Sequence, residues 1–408
     1  MKNLSKKILI GIFLGFLSLS LLLTALFNYD GIVSSLYENK AQLFQYSRTF
    51  STISSALSKN LIFLSRYANL YGGLQRVQGK EIWTDAAGNT YLIGGDGKIY
   101  DFSVASATDS GNDLSIDDWK RLEACANALS ELAQEANDRG AELIFVQAPA
   151  RYDPDYVTLP LSRSSISAKT VDALEELLKE NEDVHSLNLQ RYFHEQEIPF
   201  DTWFYKTDHH WTTQMAFLAY QKLCEVINGE MGIEIDPFFY ATESWESELF
   251  ENAFLGSFGE KVGRGFVGND SLELFFPKFE TEYQMTSSGD PYTSIEKKPG
   301  ITVNGTFTET ALNMSTATYS YGSYLGGDIC EVRLFNSKAA TDKKVLIIKD
   351  SFAKPVAAFL STCFAETRCL DLRYYKDGIQ NYLDSYQPDL VVVLYNPTVY
   401  SDNFFSFE

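Results

Sequence analysis

The sequence predicts an α/β protein built on a mainly parallel sheet flanked by helices. Two observations carry that class. Apolar runs of strand length alternate with stretches of helical period from Ser115 to Leu189, and the same rhythm returns from Val345 to Leu394. The runs themselves, such as Leu143-Ile144-Phe145-Val146 and Val345-Leu346-Ile347-Ile348, read as buried strands. In such a sheet functional loops leave the carboxyl ends of strands, so those ends are where chemistry is to be sought.

Composition bounds the rest. With 408 residues, 45% hydrophobic and 14% aromatic, the chain is too apolar for disorder and long enough for one large domain with insertions, or for two domains. Ile8 to Phe27 is uncharged throughout and would make roughly 30 Å of helix, the thickness of a bilayer's hydrocarbon core. Lys2, Lys6 and Lys7 precede it and no Lys or Arg follows until Lys40, which keeps the N-terminus cytoplasmic and sends the body outside the cell. The expectation is a single-pass membrane anchor through residues 8–27. A cleaved signal peptide is the competitor, but its apolar region is usually only about 7 to 15 residues long.

Residues 1–30 thus read as cytoplasmic tip and anchor, and 31–82 as a juxtamembrane stalk or packing helices. The body is 83–408, with a β-rich insertion at about 230–340 where Pro, Gly, Ser, Thr and aromatics interleave. A net charge of −20 argues against nucleic acid and against docking on anionic lipid head groups. The five cysteines, Cys125, Cys224, Cys330, Cys363 and Cys369, show no metal spacing and no CxxC. Cys363 and Cys369 would bridge only if local geometry allowed it.

In chain order, Thr90 to Ile93 and Lys98 to Phe102 read as a hairpin across Gly94-Gly95-Asp96-Gly97. Ser115 and Asp118 make a capping box for a helix that Gly140 closes. The strand from Leu143 to Val146 runs into Gln147-Ala148-Pro149-Ala150-Arg151-Tyr152. A helix (Ser167 to Glu180) and a strand (Val184 to Leu189) follow, then a loop and a helix from about Thr213 to Ile227. Inside the insertion, strand-like pieces are Leu272 to Phe276, Ile301 to Val303 and Cys330 to Leu334. The last elements are the strand Val345 to Ile348, a helix from Lys354 to Phe364, a strand Cys369 to Leu372, a helix Ile379 to Tyr386 and a strand Leu390 to Leu394.

Two stretches carry chemistry. Thr207-Asp208-His209-His210-Trp211 holds half of the four histidines, and Lys349-Asp350-Ser351-Phe352 ends a strand and feeds a helix. Ser351 is the candidate nucleophile, His210 the base and Asp208 the carboxylate that orients it, because a two-residue offset on an extended loop sets both side chains on one side. Their place on a loop end does not require them to be buried. The backbone N–H groups of Phe352 and Ala353 are the candidate oxyanion donors. His209, pointing the other way, is second to these or faces substrate.

Asp350, Ser257 and Arg264, with Arg373 and Asn396 at strand ends, are candidates to border the site. The plain alternatives are that Asp350 or Ser351 merely caps a helix and that the others are ordinary loop residues. Asp-His-His offers three metal-ligand types, but adjacent histidines on a strand diverge, and the reading is no metal and no cofactor.

With these residues assembled, the chain resembles the DHHW protein family, named for the motif that stands here as Asp208-His209-His210-Trp211. The resemblance extends to Phe258-Gly259, Tyr324-Leu325-Gly326-Gly327-Asp328 and Asp371-Leu372-Arg373-Tyr374-Tyr375. It implies a relative of the SGNH-fold alginate O-acetyltransferases, in which an Asp-x-His pair precedes the serine, as Asp208-x-His210 precedes Ser351 here. The same resemblance implies an SGNH-hydrolase-like fold and O-acetyl transfer or hydrolysis on a cell-surface or secreted polysaccharide. A multi-pass membrane acyltransferase would be the acyl donor. The glycine of the usual Gly-Asp-Ser is replaced by Lys349. The rival class is a non-catalytic carbohydrate-binding or assembly protein on the same fold.

Overall fold

The computed structural model describes residues 15, 16, 18–40, 49, 52–54, 56, 57, 64–85, 88–101, 114–160, 166–179, 183–288, 303, 304, 307, 308, 321–325, 328–400 and 404–407. Residues 8–14 and 17 of the expected membrane span lie outside these, as do Phe102 and Ile301 of two expected strands. The chain divides into two units, one drawn from Met1–Gln78 and Gly263–Phe266, the other from Gly79–Val262 and Val267–Glu408.

The first unit contains the helices Tyr29–Glu38 and Leu64–Val77. Among the described residues no single helix is long and apolar enough to cross a membrane. The pieces Ser18–Phe27 and Tyr29–Tyr37, bent by 79°, meet that length and composition together. Gly265 packs so tightly on this unit that a Cβ there would lie 1.9 Å from the Asn69 carbonyl oxygen.

The second unit opens with a three-stranded antiparallel sheet, β1 (Ile82–Thr84), β2 (Thr90–Ile93) and β3 (Ile99–Asp101). The β2–β3 turn closes at Gly97, whose φ of +77° suits a residue without a Cβ. Helix α1 (Ile116–Asn137) starts on the full Ser115/Asp118 capping box. β4 (Glu142–Gln147), α2 (Ile166–Leu178) and β5 (His185–Asn188) follow.

An unforeseen short helix, α3 (Leu189–Glu195), begins immediately, because the Asn188 side chain accepts the Arg191 N–H and stops the strand there. Next come α4 (Thr213–Glu230), β6 (Trp245–Phe254), α5 (Ser257–Val262), β7 (Asp270–Pro277) and β8 (Tyr283–Ser288). The chain ends with β9 (Glu331–Asn336), β10 (Thr341–Lys349), α6 (Ala353–Leu360), β11 (Phe364–Leu370), α7 (Ile379–Tyr386) and β12 (Leu390–Tyr395).

The central sheet has seven strands in the order β5-β4-β12-β10-β11-β9-β8. The first five are parallel, and β9 and β8 extend the edge antiparallel. The sheet is therefore mixed. Part of the stretch read as an insertion, β8 and β9, completes the main sheet, while β6 and β7 pair only with each other.

Alternate residues of the central strands serve opposite cores, as strand geometry requires. Ile144, Val146, Ile347 and Val392 pack with Met215 and Ala219 of α4 and Val356 and Ala357 of α6. Leu143, Phe145, Ile348 and Val393 pack with Leu129 of α1, Leu174 of α2 and Leu383 of α7. Helices thus cover both faces. Cys363 and Cys369 are buried and not bridged; the Cys363 thiol lies 3.3 Å from the Tyr220 hydroxyl.

Candidate active site

The serine turn sits where two neighbouring parallel strands end. β10 stops at Lys349, and the carboxylate of Asp350, next in the chain, is buried. Its Oδ1 accepts the Phe352 N–H (2.8 Å), and its Oδ2 accepts the backbone N–H (2.8 Å) and Nδ2 (2.6 Å) of Asn396, just past β12. Asp350 therefore fastens the turn to the adjacent strand end, although burial raises its pKa.

One expectation changes here. The Phe352 N–H is committed to Asp350 and is not the oxyanion donor foreseen for it, which leaves Ala353, in the first helical turn, with no intrahelical acceptor. Asn396 meets the serine turn through Asp350.

A buried ion network lies beside this turn. Lys349 and Asp371 are both fully buried with Nζ and Oδ2 3.4 Å apart. Arg373 grips Asp371 through Nε (2.8 Å) and Nη2 (2.6 Å), which raises its pKa and makes the guanidinium a member of this network. Lys354 pairs with Asp328 at 3.1 Å.

The histidine loop is closed at its base by an antiparallel bridge between Phe204 and Trp211. Trp211 is fully buried, and its Nε1 donates to the Tyr321 hydroxyl (2.8 Å) and to the Phe352 carbonyl (3.1 Å). The tryptophan of the motif thus ties this loop to the serine turn. At the tip, Asp208 Oδ1 lies 2.5 Å from His210 Nδ1, and His210 Nε2 lies 2.7 Å from Ser351 Oγ. Acid, imidazole and hydroxyl form one hydrogen-bonded chain across 141 residues of sequence.

Asp208 and His210 are only 4% and 5% exposed, where the loop position had not required burial. The cover comes from the start of α5: the Ser257 N–H donates to Asp208 Oδ2 (2.7 Å), and the Gly259 N–H donates to the Thr207 carbonyl (2.8 Å). Burial alone would raise the Asp208 pKa, but the His210 ring, its hydrogen bond, His209 and the Ser257 N–H outweigh it and hold the carboxyl well below the usual range.

Gly256 makes that cover fit. A Cβ there would fall 2.2 Å from Asp208 Cβ and 2.6 Å from its Cα. Gly256→Ala is therefore expected to displace Asp208 and lower kcat by at least about 100-fold, the order of loss that a 1 Å misplacement produces. Steady-state kinetics, with circular dichroism to establish folding, checks it.

His209 does not point away from His210. The two ring centroids are 3.8 Å apart, because the tip of the loop bends and strand alternation does not apply. Its Nδ1 lies 2.8 Å from Ser257 Oγ, and burial, followed by the neighbouring His210, pushes its pKa down to about 3. Ser257 thus borders the site as anticipated, through its backbone to Asp208 and its hydroxyl to His209. Arg264 instead falls in the first unit, where its N–H donates to Asn69 Oδ1 at 2.6 Å.

The expected divergence of the histidines also fails: ligand atoms of Asp208, His209 and His210 all lie within 4.8 Å of one another, close enough for one ion. Asp208 Oδ1 and His209 Nδ1 already bond to His210 and Ser257, so an ion held through those two atoms would displace these partners.

Two site residues escaped the sequence reading. Tyr321 stacks on His210 at 3.9 Å and 11°, and its hydroxyl donates to the Phe352 carbonyl (3.0 Å). Its surroundings carry no periodic signal. Arg151, after β4, bonds the carbonyls of Ile99 (2.7 Å) and Tyr205 (2.9 Å) and lies over the Phe258 ring. Its position past a strand's carboxyl end was the available clue.

Residues 110–282 match the family model described as the SGNH hydrolase-like domain of the acetyltransferase AlgX. The fold is SGNH hydrolase-like. The matched residues hold the Asp208–His210 loop and α5, and Ser351 lies beyond them. Among solved structures, PatB1 of Bacillus cereus is 20% identical over 80% of this chain and 99% of its own, with a TM-score of 0.62. The same protein carrying a sulfonyl adduct matches at 20% identity, over 80% and 98%, with a TM-score of 0.61.

A DHHW family protein from Eubacterium siraeum is 15% identical over 79% of this chain and 94% of its own, with a TM-score of 0.54. At these identities the likeness establishes the fold. No curated protein matches the chain. The resemblance read from the Asp208-His209-His210-Trp211 motif is borne out.

Proposed function

We propose that the SGNH-like domain is a serine O-acyltransferase that moves an acetyl-sized group onto a hydroxyl of a cell-surface or secreted polysaccharide. The observation that carries this is the bonded chain from Asp208 through His210 to Ser351. His210 Nε2 takes the Ser351 proton as Oγ bonds to the acyl carbon, and the donor's leaving group departs with a proton from His210. Asp208, kept ionised, holds Nδ1–H and stabilises the imidazolium. A hydroxyl then attacks the acyl-serine, gives its proton to His210, and releases Ser351.

The description of the matching family as an acetyltransferase supports acetyl as the group. The polysaccharide, the membrane anchor at residues 8–27, the extracellular body and a multi-pass acyltransferase as donor are parts of the same proposal, resting on the sequence resemblance and the N-terminal charge pattern. Acetyl release from an activated aryl acetate by the full-length chain tests the reaction: His210→Ala is expected to abolish it, and equal rates would refute the triad. Because the proposed transfer runs through Asp208, His210 and Ser351 alone, activity is expected to be unchanged after dialysis against EDTA. Loss restored by a divalent metal would overturn this.

A further inference from the structure

We infer that His209 and Ser257 form the acceptor subsite, a neutral hydrogen-bonding pair that holds the incoming hydroxyl beside His210. This rests on the acyl-transfer reading and adds to it a place for the second substrate. An attacking hydroxyl must come within hydrogen-bond reach of His210 Nε2, roughly 2.6–3.2 Å. The His210 side chain is 7% exposed, whereas that of His209, packed against it at 3.8 Å, is 40% exposed. The solvent-facing part of this histidine pair is therefore His209.

Its Nδ1 is taken by Ser257 Oγ, and among the described residues its Nε2 has no hydrogen-bond partner. A hydroxyl both donates and accepts, so it suits that nitrogen in whichever tautomer Ser257 sets. The low pKa keeps the ring uncharged, so it does not compete with His210 for the Asp208 carboxylate. In the step itself the acceptor's oxygen bonds to the acyl carbon, its proton passes to His210 Nε2, the bond to Ser351 Oγ breaks, and His210 returns the proton to Ser351. His209 takes no proton. It fixes which hydroxyl attacks, and so sets the division between sugar and water.

The test uses the full-length chain with an aryl acetate as donor and methyl β-glucoside as acceptor, measuring aryl alcohol release and acetyl-glucoside separately. His209→Phe, which keeps an aromatic ring against His210, is expected to lower transfer to the glucoside at least about 10-fold more than it lowers aryl release, a difference of ~1.4 kcal/mol. His209→Gln, which restores a neutral donor and acceptor, is expected to recover most of that ratio, and Ser257→Ala to fall between. A ratio unchanged in His209→Phe, both rates falling by one factor, or a native chain that hydrolyses but never acetylates the glucoside would each overturn the subsite. Absence of Ser351-dependent release in the native chain would instead remove the acyl-transfer reading, and the subsite with it.

Discussion

Ser351→Ala is expected to lower kcat for acyl transfer by on the order of 10⁶-fold while leaving the thermal unfolding midpoint in place. The hydroxyl's described bond is to His210 Nε2, so its removal deletes the nucleophile and one contact at a half-buried position. The turn does not depend on it: Asp350 still accepts the Phe352 and Asn396 donors, and Trp211 still holds the Phe352 carbonyl. Initial rates with an activated ester and a parallel melting curve measure both parts. Activity within about 10-fold of native would place the nucleophile elsewhere.

Asp208→Asn is expected to cost on the order of 10⁴-fold in kcat. Asp208 accepts on both oxygens, with Oδ1 taking the His210 backbone N–H and its Nδ1 and Oδ2 taking the Ser257 N–H. An amide has one acceptor oxygen. With its NH₂ toward His210, the ring must carry its proton on Nε2 and cannot deprotonate Ser351; with its NH₂ toward Ser257, two donors face each other.

The same residues make stability pH-dependent. The His209 pKa falls from an unfolded value of 6.5 to about 3 in the folded chain, so below 6.5 the unfolded state binds a proton that the native state refuses. Its contribution is fully present above 6.5 and is lost as pH falls toward about 3. Asp208, with its pKa depressed, adds a loss in the same direction at lower pH. Melting midpoints are expected to drop on acidification through this window, and less steeply in His209→Gln.

The parallel strands were legible because an apolar run such as Val345–Ile348 or Leu390–Leu394 admits few other readings, and both fall within β10 and β12. The pairing of His210 with Ser351 was legible from the chemistry of the two stretches. What was not legible depends on contacts distant in sequence. Whether Asp208 is buried is decided by Gly256 and Ser257, some fifty residues on, and the glycine spacing of Leu255-Gly256-Ser257-Phe258-Gly259 is the local sign of that close approach. Tyr321, stacked on the imidazole, sits in a stretch without period, and β8 and β9 joined the main sheet through register that no local pattern announces.

The most direct measurement is covalent labelling of the full-length chain with an arylsulfonyl fluoride, then peptide mapping. The expected result is one sulfonyl group per chain, on Ser351, with labelling lost in His210→Ala because the base that activates the hydroxyl is gone. A label on any other residue, equal labelling of native chain and variant, or none on the folded native chain would contradict the triad as the working centre of this protein.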